Sequence, residues 1–330
     1  MKQDQAIQAY NTMVLIRTFE QTILELHKAG RLPGFMHVSI GQEAVPTGVS
    51  LALKPDDVIT TTHRGHGDVI AKGVEIEGMM AELFAKSGGL CRAKGGSMHV
   101  TDFSKGVLGA FSIVGAGMPI ALGAAMSAQR LETGSVAVCH FGDGAIAQGA
   151  AHESLNMASL WDLPVVFVRH NNLYAESTPT SEYQGFTSIE DYVGSYGIEI
   201  ETVDGNDVEA VLESATRLVD RARSGGGPGF LECLTYRWYG HNIGDSGAGR
   251  PPEEVAAWKA RDPIARFREK LVNRYHVDTA EIEGIESAIT ERVTVAVDAA
   301  EVMSEPPTEW ALEDVYGDPA TLASFAGVLL

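Results

Sequence analysis

Apolar residues recur every three or four positions at Ile7, Tyr10, Met13, Ile16, Phe19, Ile23 and Leu26. That period predicts an opening helix with one buried face, closed by Gly30 and then Pro33. From about residue 58 to residue 238 the rhythm changes, and short β-rich runs alternate with helical stretches. This is the pattern of a parallel sheet covered by helices. The clearest strands are predicted at 136–141, 164–168 and 230–236. A helix-like stretch, 145–160, separates the first two, so they form a βαβ unit. Such units cross over right-handed and put their binding loops at the carboxyl ends of the strands.

The glycine- and proline-rich run 224–229 precedes a strong strand and is read as a surface turn rather than an interdomain linker. Residues 239–252 form a glycine-bearing loop, a candidate lid. A helical, acidic segment follows, with no internal repeat or low-complexity tract. The expected fold class is α/β: a parallel sheet flanked by helices, in a single domain over 1–330. Helical extensions are expected at both ends, over 1–45 and 250–330.

Composition narrows the function. With 330 residues, 45% hydrophobic and 21% charged, the chain reads as an ordinary globular protein. Its formal charge of -19 argues against nucleic acid or an anionic membrane as partner, so any phosphate must sit in a local pocket. Cys91, Cys139 and Cys233 are odd in number, widely spaced and without CxxC, and are expected as buried thiols. No signal-peptide core or membrane-length apolar run is present, so the expected location is the cytoplasm.

The chemistry concentrates at two predicted strand ends: Gly142-Asp143-Gly144, and Asn171-Asn172-Leu173-Tyr174. A βαβ unit brings such ends together, so Asp143 and Asn172 can face one crevice. A carboxylate, an amide oxygen and a backbone carbonyl suit Mg²⁺, which often completes its octahedron with phosphate oxygens. The glycines beside Asp143 admit close approach of a phosphate, and a following helix N-terminus favours an anion. Taken alone, Gly-Asp-Gly is only a strand-to-helix turn with a capping aspartate. Two other readings are poorly supported. A zinc site at His63, His66 and His99 lacks ligand spacing on a helix, and Gly115-Ala-Gly117 lacks the third glycine of a dinucleotide fingerprint.

Together, residues 142–149 and 171–174 resemble the thiamin-diphosphate motif of 2-oxo acid and acetoin dehydrogenase alpha subunits. The likeness continues in Gly41-Gln-Glu-Ala44, His63-Arg-Gly-His-Gly67, Lys94-Gly-Gly-Ser-Met-His99 and Tyr236-Arg-Trp-Tyr-Gly-His241. The resemblance implies the diphosphate-binding half of a thiamin-diphosphate fold, with Asp143, Asn172 and the Tyr174 carbonyl as Mg²⁺ ligands. It implies Arg64 on the diphosphate, Arg237 near the phosphate end, Gly144 and Ala145 in the cradle and Phe35 beside the cofactor. The turn holding Ser112 and Val114 would offer backbone groups to the aminopyrimidine. His63 and His241 would lie at the reactive end as catalytic residues that also touch cofactor. For His99, site and scaffold remain open, and His66 is expected to orient its loop.

The same resemblance implies a beta subunit that supplies the glutamate for cofactor activation, an assembly of two alpha and two beta chains, and a lipoyl acyltransferase as acceptor. The small-molecule substrate would be acetoin or a 2-oxo acid such as pyruvate, cleaved beside its carbonyl, with the acyl group passed to lipoamide. Alternatives are a specialised thiamin-diphosphate lyase or transferase subunit and a non-catalytic regulatory subunit. Four features depart from the family pattern: Ala147 replaces asparagine, Ser112 glycine and His170 glutamate, and Tyr239 with Asn242 flank His241 unusually.

Overall fold

The chain opens with a long helix, α1 (Gln3–Lys28), whose buried face carries Tyr10, Met13, Ile16, Phe19 and Ile23 as their spacing requires. It ends at Ala29, and Gly30 adopts the left-handed φ of 72° that reverses the chain. A short helix, α2 (Ala44–Leu51), leads into the α/β region. There β1 (Val58–Thr62), α3 (His66–Ala71), α4 (Ile76–Leu83), β2 (Val107–Phe111), α5 (Gly117–Arg130), β3 (Ala137–Gly142), α6 (Gly149–Leu160) and β4 (Val165–Asn171) follow in turn. An antiparallel ribbon comes next, β5 (Tyr174–Ala175) with β6 (Thr178–Pro179), then the short helices α7 (Thr180–Tyr183) and α8 (Ile189–Gly194). The sheet is completed by β7 (Glu199–Asp204) and β8 (Gly229–Leu234), joined by α9 (Val208–Arg223). Helices α10 (Pro252–Lys259), α11 (Pro263–Asn273) and α12 (Thr279–Glu301) follow. This computed structural model describes residues 1–314; the end of the segment expected over 250–330 lies outside the described residues.

Six parallel strands form one sheet in the order β2-β1-β3-β4-β8-β7. Helices cover both faces, which is why the central strands read as continuous apolar runs. The pleat splits them between two cores. Ala137, Cys139, Phe141, Val165 and Phe167 pack with α5 and α6. Val138, Val166 and Val168 pack on the other face with α1, α2 and α9. Helix α12 folds back on α1 and α4, so the C-terminal helices close the core that the opening helix begins. The run 224–229 is the turn between α9 and β8, as expected. All three cysteines are free, with Cys139 and Cys233 buried and Cys91 half-buried. Among the described residues no helix is long and apolar enough to cross a membrane.

β3, α6 and β4 form the expected βαβ unit. Their register runs from Ala137 opposite Val165 to Gly142 opposite His170, so the two strands end abreast. One local expectation is corrected. The stretch 145–160 is not continuous helix: a 3₁₀ turn covers Asp143–Ala147, Gln148 is extended, and α6 starts at Gly149. Asp143 therefore sits on a tight turn, and the N-terminus of α6 is displaced from it.

Candidate active site

Asp143 follows directly on β3 and is buried. Asn171, the last residue of β4, locks the facing turn. Its Nδ2 donates to Glu232 Oε1 at 2.7 Å, and its Oδ1 accepts from the Leu173 amide at 3.2 Å. Glu232 also accepts from Arg169 at 3.0 Å. This buried network holds Leu173 at a φ of 72°, a conformation that costs a branched residue energy and persists only when its surroundings fix it. The turn aims Asn172 at Asp143, whose Oδ1 accepts from the Asn172 amide at 3.3 Å.

The side-chain oxygen of Asn172 then stands 3.3 Å from Asp143 Oδ1 and 3.1 Å from the Tyr174 carbonyl oxygen. In this orientation the Asn172 oxygen faces two other acceptors, which repel it. Either the amide turns over, so that its nitrogen donates to both neighbours, or a cation sits among the oxygens. Adjacent ligands of an octahedral ion with bonds of about 2.1 Å lie about 3 Å apart. The spacing thus suits a small hard cation. The other Asp143 oxygen accepts from the Tyr183 hydroxyl on α7. At Gly144 a Cβ would come within 2.9 Å of Ala175 Cβ, so glycine permits the ribbon to close over the turn.

Arg64 supplies the opposite charge. Its guanidinium donates to the carbonyls of Val38 at 2.8 Å and His241 at 2.7 Å. Arg237 is 2% exposed and donates to the carbonyls of Tyr239 and Glu176. Neither forms an ion pair with a carboxylate among the described residues. Burial, reinforced by Arg237, lowers Arg64 to about 9, and burial with Arg250 lowers Arg237. Guanidinium groups removed from water and without a directly paired carboxylate suit an anion, since an arriving phosphate supplies that pairing.

Three histidines meet beside these arginines. The ring of His37 lies 4.5 Å from that of His63 and 5.0 Å from that of His241, and the latter two are 5.4 Å apart. Burial and the Arg64 charge lower His37 to about 2, His63 to about 3 and His241 to about 4. At neutral pH all three are uncharged imidazoles, each able to accept or donate a proton on an oxygen placed between them. The loop 239–252 is pinned rather than loose. Asp245 accepts from the amides of His241 at 2.5 Å and Gly247 at 2.8 Å, and Ile243 donates to the Met36 carbonyl at 3.0 Å.

These groups line one cavity of about 400 Å³. It brings together His63, Arg64, Ser112, Val114, Asp143, Gly144, Ala145, Asn172, Tyr174, Arg237 and His241. Phe35 is the exception: it is 70% exposed and outside the cavity lining. His66 is buried between Glu20 at 3.4 Å and Ser97 at 2.9 Å, a loop-orienting position. His99 contacts Ser112 Oγ at 3.0 Å, so it braces the lining from behind. In the Gly41–Ala44 motif, Glu43 pairs with Arg17 of α1 at 2.6 Å and holds the fold.

Residues 10–309 match the sequence profile of a family described as dehydrogenase E1 component. The chain belongs to the dehydrogenase E1 component family. A Bacillus subtilis relative, the alpha subunit of acetoin:2,6-dichlorophenolindophenol oxidoreductase, is 44% identical over 96% of this chain and 95% of its own length. The Cupriavidus necator protein of the same name is 42% identical over 93% and 92%. The pyruvate dehydrogenase E1 component subunit alpha of Rhizobium meliloti is 38% identical over 94% and 89%. As an alpha-type E1 component, the chain is a subunit of a thiamin-diphosphate-dependent oxidoreductase, and an alpha subunit implies a beta partner.

Within this E1 chain, sequence reasoning missed His37, Tyr183 and Glu232, and named Asn171 only as part of its motif, without a bracing role. His37 could have been found from its place four residues before the Gly41–Ala44 motif. Tyr183 and Glu232 give no local signal. Glu232 lies on β8, and only the β4-β8 pairing, with Arg169 opposite Glu232, makes it part of the turn.

Proposed function

We propose that this chain is the diphosphate-holding alpha subunit of a dehydrogenase that cleaves the bond beside the carbonyl of acetoin or a 2-oxo acid such as pyruvate. The acyl group would pass to lipoamide on a lipoyl acyltransferase. Acetoin is favoured, because the two relatives at 44% and 42% identity carry acetoin in their names. The chain would act as one domain, in an assembly of two alpha and two beta chains in the cytoplasm.

In this reading Mg²⁺ is held by Asp143, Asn172 and the Tyr174 carbonyl. Arg64 and Arg237 neutralise the diphosphate, Gly144 and Ala145 let it approach, and Ser112 and Val114 face the aminopyrimidine. Phe35, exposed in the single chain, would be covered where the beta subunit meets the cofactor. Bound thiamin diphosphate supplies a nucleophilic carbon and an electron sink. The protein's own work is to orient the substrate oxygen and manage its proton, the role assigned to His63 and His241. Their depressed basicity keeps both neutral at pH 7, so either can hydrogen-bond a carbonyl or hydroxyl.

The single observation that carries this proposal is the convergence of the Asn172 amide on Asp143 Oδ1 at 3.3 Å and the Tyr174 carbonyl at 3.1 Å, in a cavity whose arginines lack carboxylate partners. Calorimetric titration of thiamin diphosphate, with and without Mg²⁺ and with and without a co-expressed beta subunit, tests it. Mg²⁺-dependent binding that tightens with the partner is expected. Absence of binding in every arm would favour a non-catalytic subunit. Dye reduction with acetoin or pyruvate as sole substrate then separates the two.

A further inference from the structure

A second cluster of ligand-type side chains lies in the cavity wall, outside the set assigned to the cofactor. It comprises Asp68 of α3, His140 of β3 and His170 of β4. The pleat explains why they meet. Val138 and Val168 point into the core beneath α1, and His140 and His170, two residues further along each strand, share that face. His140 pairs with Val168 and Gly142 with His170, so the rings are diagonal neighbours on adjacent strands, and Asp68 approaches both from α3.

Three donor atoms form a near-equilateral triangle: His140 Nδ1 to His170 Nε2 is 3.0 Å, and Asp68 Oδ1 is 3.4 Å from the first and 3.6 Å from the second. Asp68 is 3% exposed, and its Oδ1 has no hydrogen-bond partner. Its Oδ2 accepts from the Thr61 hydroxyl at 2.5 Å, which fixes the carboxylate. A ring proton satisfies the shortest edge and leaves Asp68 Oδ1 only long contacts of 3.4 and 3.6 Å. A tetrahedral ion with bonds of about 2.0 Å spaces its ligands about 3.3 Å apart and satisfies all three edges.

We propose that Asp68, His140 and His170 bind one divalent ion of the zinc class, separate from the hard-cation site at Asp143. Two imidazole nitrogens and one carboxylate select Zn²⁺ or Co²⁺ over Mg²⁺. The Thr61 contact is the outer-shell support such sites use. All three residues line the cavity, so a fourth ligand comes from it, either water or an oxygen of its occupant. The His37, His63 and His241 cluster is the competing site, but it has no carboxylate and faces Arg64 and Arg237.

The test uses the full chain, stripped with chelator, saturated with Mg²⁺ and titrated with Co²⁺. One Co²⁺ per chain is expected, with the intense visible absorption of a low-coordinate site and displacement by Zn²⁺. Asp68→Asn should weaken Co²⁺ at least about 10-fold. His170→Glu, which replaces the nitrogen donor with an oxygen donor, should weaken it and change the spectrum, whereas His37→Gln should leave both unaltered. Sub-stoichiometric Co²⁺, a spectrum unmoved by His170→Glu, or a signal lost in His37→Gln would each overturn the proposal.

Discussion

Two groups of three ligand-type residues line the same cavity and carry opposite electrostatics. Asp143, Asn172 and the Tyr174 carbonyl present oxygen and one negative charge, on a turn braced by Asn171, Glu232 and Arg169. His37, His63 and His241 present neutral nitrogen, and Arg64 depresses the basicity of every ring. The first group has the charge that would attract a cation. The second is a polar wall that repels one. Residue type alone does not separate them, because histidine and aspartate are both metal ligands elsewhere. The charge of the neighbours decides what each cluster can hold.

The hardest blow to this contrast is Asp143→Ala, which removes the only formal negative charge of the oxygen group. Mg²⁺-dependent binding of thiamin diphosphate should fall by more than the roughly 100-fold that loss of an outer-shell partner can cost. Calorimetry with and without Mg²⁺ reads it directly. Unchanged affinity would remove Asp143 as a ligand and leave the three-oxygen geometry without a role.

Arg64→Lys strikes both groups at once, because the same guanidinium faces the proposed diphosphate and holds the His241 carbonyl at 2.7 Å. Lysine keeps the charge and loses the fork. A lost charge-assisted hydrogen bond is worth about 1.5–3 kcal/mol, so diphosphate affinity should drop roughly 10- to 100-fold. Turnover with the beta subunit should fall further than saturation alone explains, since His241 shifts as well. A variant with weaker binding but normal saturated turnover would show that the two groups are uncoupled.

The oxygen group was also the legible one. Asp143 and Asn172 lie at the ends of strands whose apolar runs are plain, and a βαβ unit has only one way to set such ends abreast. The opening helix was readable for the same reason, a long and regular period. What escaped was long-range or conformational. Glu232 joins the turn through a strand pairing that no local spacing encodes, and Tyr183 reaches Asp143 from a four-residue helix. The start of α6 was misplaced because extended Gln148 interrupts a stretch of good helix formers. Phe35 was expected beside the cofactor on family position, yet it is exposed and outside the cavity lining.

The histidine group makes its own prediction about pH. His37, His63 and His241 have folded values of about 2, 3 and 4, against 6.5 in the unfolded chain. Between pH 6.5 and about 4 the unfolded state therefore binds more protons than the folded one. Stability falls as pH drops through that window and is level above it as far as these groups are concerned. His37 is buried, and His37→Gln should flatten the dependence near pH 5 by up to about 1.4 kcal/mol per pH unit. Denaturant melts at a series of pH values measure this slope. An identical slope in the variant would mean that His37 is protonated in the fold and that the wall is not neutral.

The smallest expected effect is the most discriminating for the oxygen group. In the chain without a cation, the Tyr183 hydroxyl donates to the Asp143 oxygen that does not face Asn172. Burial and that carboxylate hold the phenol well above its ordinary value, so it remains a donor at any working pH. A neutral donor on a carboxylate draws off part of the negative charge a cation would use. Tyr183→Phe removes that competition and leaves the ring in place. One hydrogen bond contributes about 1 kcal/mol net, so Mg²⁺ affinity should tighten roughly 5-fold. If Tyr183 instead orients Asp143 for its ion, as outer-shell partners commonly do, the same variant would bind Mg²⁺ more weakly. The sign of the change thus separates a hydroxyl that stands in for the cation from one that serves it.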